Sequence, residues 1–127
     1  MGMFNNMFGN SQDSDTSKID WSILEDASQI DRIIAESKEK PVVIFKHSTR
    51  CSISRMALRQ FENNFGLQDK VTPYFLDLIA YREVSNEISQ RFNVMHQSPQ
   101  LLLIKDGKAV YDVSHEAIDV KALEGRL

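Results

Sequence analysis

The segment "PVVIFKHSTRCSIS", residues 41–54, decides how the chain is read. Its first half, Val42 to Lys46, is a β-branched and aromatic run without polar alternation, the pattern of a central strand buried on both faces. The next residues, His47, Ser48, Thr49 and Arg50, are polar and lead to Cys51, the single cysteine of 127 residues. From Ser52 to Phe65, the residues Ile53, Ala57, Phe61 and Phe65 recur every four positions, which stacks them on one side of a helix. Gly66 marks the helix end. A buried strand, a short polar loop and a helix opening at Cys51 or Ser52 therefore put the thiol at a helix N-terminus.

Outward from this unit the chain alternates strands and helices. Before it, "IDWSIL" (19–24) reads as a short strand, followed by a helix capped at Asp26 or Ser28. That helix runs to about Lys38, with Ala27, Ile30, Ile33 and Ile34 on one face, and Pro41 separates it from the central strand. After it, "VTPYFLDL" (71–78) is a strand, and "REVSNEISQRF" (82–92) sets Val84, Ile88 and Phe92 at helical spacing. "QLLLIKDGKAVYDV" (100–113) joins two apolar runs through Asp106-Gly107, a strong hairpin signal because both residues tolerate positive φ. Val120, Leu123 and Leu127 predict a closing helix capped at Asp119. The order is βαβαβαββα without internal repeats, an α/β arrangement in one domain over residues 18–127.

Composition narrows the function. The chain is 42% hydrophobic and 26% charged with net charge -3, and its basic residues are dispersed among acids, so no nucleic-acid footprint is present. One cysteine forms no internal disulfide, and His47, His96 and His115 lack zinc-ligand spacing, so no metal site and a reducing, cytoplasmic setting are expected. No apolar run nears the roughly 20 residues that cross a bilayer. The N-terminus has neither a signal-peptide pattern nor an acylation signal, Asn6 standing where Ser or Thr would be needed. Residues 1–17 read as a mobile tail, in which Met3, Phe4, Met7 and Phe8 could dock an apolar surface.

The chemistry centres on Cys51. Free N–H groups and the positive end of the dipole at a helix start favour an anion, and Arg50, Lys46 and His47 are candidates to add positive charge nearby, with a solvent-facing side chain as the alternative for Lys46. Such surroundings favour the thiolate, the reactive form. A lone cysteine commonly serves as a small buried apolar residue. However, His47, Ser48, Thr49, Arg50, Ser52 and Ser54 are poor company for core packing. Ser54 stands where a second cysteine would resolve a mixed disulfide, and a hydroxyl cannot form that S–S bond, so exchange must stop halfway. The Ser54 hydroxyl has two open roles, a hydrogen bond to the Cys51 sulfur or support of the first helical turn.

Two further elements join it. Ser98-Pro99 lies between the third helix and the hairpin, either as a simple strand start or as a cis proline opposite the cysteine loop. His47 could orient or protonate a leaving thiolate, although satisfying loop carbonyls at a strand end is the favoured reading. His96 could help bind an acidic small thiol, but an exposed, unengaged side chain is favoured.

The segments "PVVIFKHSTRCSIS", Ala57 and Phe61, "QSPQLLLIKDGKAVYDVSH" (97–115) and Ile118 resemble the monothiol bacilliredoxin (YtxJ-type) family of the thioredoxin-like superfamily. The resemblance spans most of residues 20 to 123. It implies a thioredoxin-like three-layer fold with a central mixed β-sheet flanked by helices. It also implies removal of bacillithiol, a low-molecular-weight thiol, from S-thiolated proteins, with no tightly bound cofactor. Cys51 would be the nucleophile, and Pro99 with the backbone of Ser98 would align the substrate. His115 matches the family's Ser-His pair, with surface hydrogen bonding as its expected role. A monomer is expected. Two rival readings remain: a monothiol glutaredoxin using glutathione or an iron–sulfur cluster, whose Cys-Gly-Phe-Ser pattern Ser52 and Ile53 break, and a non-enzymatic redox sensor or binding module.

Overall fold

The computed structural model describes residues 19–127. The tail expected over residues 1–17, with the apolar side chains named in it, lies outside the described residues, as does Lys18. The elements follow the expected order. They are β1 (Ser22–Ile23), α1 (Ser28–Glu36), β2 (Val42–His47), α2 (Ser52–Asn64), β3 (Thr72–Asp77), α3 (Arg82–Phe92), β4 (Gln100–Lys105), β5 (Lys108–Ser114) and α4 (Val120–Glu124), with a 3-10 turn at His115–Ala117 before α4.

The five strands form one mixed sheet in the order β1-β3-β2-β4-β5. β2 pairs parallel with β3 and antiparallel with β4, so it lies in the middle, and every one of its residues is buried. Period-two alternation divides its side chains between two cores. Val42 and Ile44 pack with Ile30 and Ile33 of α1 and with Val84 and Ile88 of α3. Val43 and Phe45 pack on the opposite face with Phe61 of α2 and with Val120 and Leu123 near the C-terminus. The sheet is thus the middle of three layers, and the unalternating apolar run is explained by burial on both sides.

The turn between β4 and β5 is the expected two-residue hairpin, with Asp106 at φ 52° and Gly107 at φ 77°. Asp119 accepts from the Ala122 N–H at 3.0 Å and caps α4 as expected. Asp26 accepts from the N–H and hydroxyl of Ser28 at the start of α1. Three expectations need correction. Ala27 is exposed and precedes α1 instead of joining its buried face. Gly66 has no left-handed φ, because α2 ends two residues earlier and Phe65 is already extended. Ile53 is 54% exposed, while Ser54 is fully buried in its stead. The buried stripe of α2 starts one residue later than the four-residue repeat implies, because the first turn rises over the polar loop and not over the sheet.

Candidate functional site

β2, β3 and the start of β4 meet at one end of the sheet. Past the pair Lys46–Gln100, the antiparallel register of β2 and β4 brings Pro99 alongside His47. The loop Ser48–Cys51 leaves β2 at this end and turns into α2. Cys51 is the N-cap residue of α2, extended at φ -110° and ψ 122°, and half-buried. Its carbonyl accepts the first helical bond from the Arg55 N–H at 3.1 Å, and its own N–H donates to the Ser48 carbonyl at 3.2 Å. No side chain caps the helix. The sulfur therefore occupies the residue position from which a capping oxygen would ordinarily accept the free N–H groups of the first turn.

Of the two roles left open for it, Ser54 takes the second, support of the first turn of α2. Its Oγ lies 2.7 Å from His47 Nδ1 and accepts from the Ser48 N–H at 3.0 Å. One hydroxyl thereby ties the end of β2, the cysteine loop and the first turn of α2 together. His47 is correspondingly buried at 5% exposure, bonded to a side-chain hydroxyl in place of the loop carbonyls expected of it, and its ring lies against Phe75. Burial pushes its pKa below the usual 6.5; Arg55 acts in the same direction, while Asp77 and Glu62 oppose it. Arg55, unremarked in the sequence, adds a second fastening by donating from Nη1 to the Thr49 carbonyl at 3.1 Å. Thr49, Arg50 and Ser52 are exposed around the thiol.

Lys46 is not on the thiol's side of the sheet. It shares the face of Val42 and Ile44, is completely buried, and points its ammonium at His96 Nδ1, 3.0 Å away, with Ser89 Oγ at 3.5 Å. Burial lowers its pKa from 10.5 to about 8. His96, expected to be unengaged, is half-buried and also lies 3.3 Å from Ser85 Oγ. Alternation would have assigned Lys46 to the face of Ile44. The partner, fifty residues away, left no local signal.

The Ser98–Pro99 bond is cis, and Pro99 is buried. The Pro99 carbonyl accepts from the His115 N–H at 3.1 Å, so His115, at φ 56°, touches the site through its backbone. Gln100 is 1% exposed and donates to the Met95 carbonyl at 3.0 Å, while its Oε1, like the Ser98 hydroxyl, has no partner. Next to the cysteine turn, Ile53, Met56, Ala57, Gln60, His115, Glu116 and Ile118 line a groove of about 240 Å³. Among the described residues no group of three or more His, Cys, Asp or Glu side chains could hold a metal ion, and no helix is long and apolar enough to cross a membrane.

Comparison with solved structures agrees with this architecture. A protein described as having a thioredoxin fold is similar at 32% identity and a TM-score of 0.71, over 81% of this chain and 89% of that one. Thioredoxin from Malassezia sympodialis shares the fold at 19% identity and a TM-score of 0.67, over 90% and 93% of the two chains. Mitochondrial thioredoxin 3 from Saccharomyces cerevisiae does so at 17% and 0.65, over 84% and 92%. The family described as monothiol bacilliredoxin BrxC matches residues 22–123. The fold is therefore that of thioredoxin, and with its cysteine-bearing strand, loop and helix all inside the matched region, the chain belongs to the monothiol bacilliredoxin family.

Proposed function

We propose that this protein removes bacillithiol from S-thiolated proteins by exchange at Cys51. Family and fold together support a thiol–disulfide redox function. The observation that carries the finer reading is the pairing of one half-exposed thiol at an uncapped helix start with a buried serine at the resolving position. The Cys51 thiolate attacks the bacillithiol sulfur of a protein mixed disulfide. A new S–S bond joins Cys51 to bacillithiol, and the protein's cysteine departs as thiolate with the bonding electron pair, taking a proton from solvent. Ser54 cannot displace the cap, and its hydroxyl is held by His47 and Ser48. A second small thiol, as its thiolate, must attack the bacillithiol sulfur of the capped Cys51, so that the two small thiols leave joined by an S–S bond and Cys51 departs with the bonding pair as thiolate.

The groove lined by Ile53, Met56 and Ile118 gives the protein partner an apolar rest beside the cysteine turn. The expected result is that Cys51 gains the mass of one bacillithiol from a bacillithiolated model protein, and that Cys51→Ala abolishes the transfer. Mass spectrometry of the intact protein reads both. Transfer of glutathione at an equal rate would remove the bacillithiol assignment, and unchanged partner deprotection by Cys51→Ala would remove the exchange mechanism.

A further inference from the structure

The described chain begins at Ile19, which is 7% exposed and packs in the α2-side core with Phe61 and Ile118. Upstream of it, residues 9–18 are polar or glycine throughout, and before them stand two Met-Phe pairs, Met3-Phe4 and Met7-Phe8, four residues apart. Residues 1–12 carry no charged side chain. Exchange at Cys51 gives these pairs no task. Large apolar side chains gain by leaving water, and the polar tether that follows them has no apolar surface to offer.

The α2 side of the domain has a matching surface. Ile53 and Met56 are 54% and 59% exposed, and with Ala57, His115 and Ile118 they line the groove of about 240 Å³ beside the cysteine turn. Ala57 and Ile118 also pack in the core that holds Ile19, so the groove opens on the layer where the described chain enters. Ile53 and Met56 follow Cys51 by two and five residues on the helix it opens, about 3 and 7.5 Å along the axis. The opposite wall reaches Pro99, whose carbonyl accepts from the His115 N–H at 3.1 Å. Other exposed apolar side chains lie among charges, Ile79 with Glu25, Arg82 and Glu83, and Val110 with Lys105, Lys108 and Arg126. In the groove beside Cys51, Glu116 is the one Asp, Glu, Lys or Arg. An uncharged segment bearing Met and Phe therefore suits this groove better than the others. Eleven residue steps join Phe8 to Ile19 and reach at most about 40 Å. A domain of this size has a radius of gyration of about 13 Å, so the groove is within range.

We propose that the Met-Phe segment, residues 3–8, folds back into the groove lined by Ile53, Met56 and Ile118 and occupies the place where a protein partner would rest. A tether of this length holds the segment near the groove at an effective concentration on the order of millimolar, so a contact too weak between separate molecules suffices. The contact filters substrates. A mixed disulfide on a protein displaces the segment only when its own apolar surface competes for the groove, whereas a small mixed disulfide reaches Cys51 without that competition. The effect on turnover rests on exchange at Cys51; the contact itself does not.

Cys51 is the one thiol of the chain, so a nitroxide attached there as a thioether reports on the full-length protein, with methyl-labelled methionines as the probes. The Met3 and Met7 methyl signals should broaden relative to a diamagnetic label, and should recover in Met56→Glu and in the double variant Phe4→Ser, Phe8→Ser. Equal broadening in all three proteins would overturn the proposal, because a tether that samples the label at random ignores the groove. Isotope-labelled Cys51→Ser mixed with unlabelled nitroxide-bearing chains tests for a second copy, and broadening in that mixture overturns docking within one chain. In exchange assays the double variant should lower KM for a bacillithiolated model protein about threefold, the effect of freeing a groove occupied roughly two-thirds of the time. Its rate with the mixed disulfide of bacillithiol and 2-mercaptoethanol should not change. An unchanged KM, or an equal gain with the small disulfide, would overturn the filter. Broadening that follows the groove in a protein that transfers no cap supports the contact and removes the exchange reading alone.

Discussion

Ser54 carries more of the site's geometry than its spacing from Cys51 implies. Ser48, Thr49 and Arg50 of the cysteine loop are polar, and the loop is fastened by the hydroxyl that accepts from Ser48 N–H and meets His47 Nδ1. Replacing it with alanine strands a backbone donor and a ring nitrogen, both in buried residues. Ser54→Ala should therefore lower unfolding free energy by about 1–3 kcal/mol, the cost of leaving such groups unmade. Urea denaturation of the two proteins measures this, and an unchanged midpoint would show that the loop is held by other means, chiefly Arg55. A serine at this position thus does two things, withholding a second sulfur and fastening the loop that presents the first.

At the scale of elements, the β4–β5 hairpin shows how local chemistry and tertiary contact reinforce each other. Asp106 and Gly107 both adopt positive φ, so the turn closes in the sense that suits twisted strands. Ser37, at the end of α1, then accepts from both turn N–H groups, through its carbonyl from Asp106 at 3.0 Å and through its hydroxyl from Gly107 at 2.8 Å. A Cβ on Gly107 would meet Ile34 Cγ2 at 3.1 Å in a conformation that L side chains rarely adopt. Gly107→Ala should cost about 1–2 kcal/mol from the left-handed backbone alone, and Ile34 must also give way. Thermal unfolding checks it, the expected result being a lower melting temperature with exchange at Cys51 retained. Helix α2 teaches the complementary lesson. Its apolar period is real from Ala57 onward, but at the first turn the loop, and not the sheet, decides which side is covered.

Across the whole molecule, Lys46 couples stability to pH. Its ammonium titrates near 8 in the folded protein and near 10.5 when unfolded. Between those values the unfolded chain retains a proton that the folded chain has released, so stability rises with pH through this window. Below about 8, the folded state bears the full cost of burying the cation. The wild type should therefore gain on the order of 2 kcal/mol relative to Lys46→Met between pH 8 and 10. Urea denaturation at the two pH values reads the difference, and parallel profiles would contradict a buried, titrating ammonium. A methionine fills the same stem without the charge, so the variant should also match or exceed the wild type in stability at neutral pH.

Local pattern determined the order of elements, the buried middle strand, the hairpin and the placement of the thiol at the start of α2, because each follows from periodicity, turn chemistry or capping within a few residues. Resemblance in the same segments pointed to the family. Tertiary structure alone decided what the polar side chains of the site do. Strand alternation assigns Lys46 and His47 to opposite faces, but only the packed layers bring His96 to one and Ser54 to the other. Those partners come from loops and helices whose separation along the chain carries no periodic signal, and a buried polar group takes whichever neighbour the fold delivers.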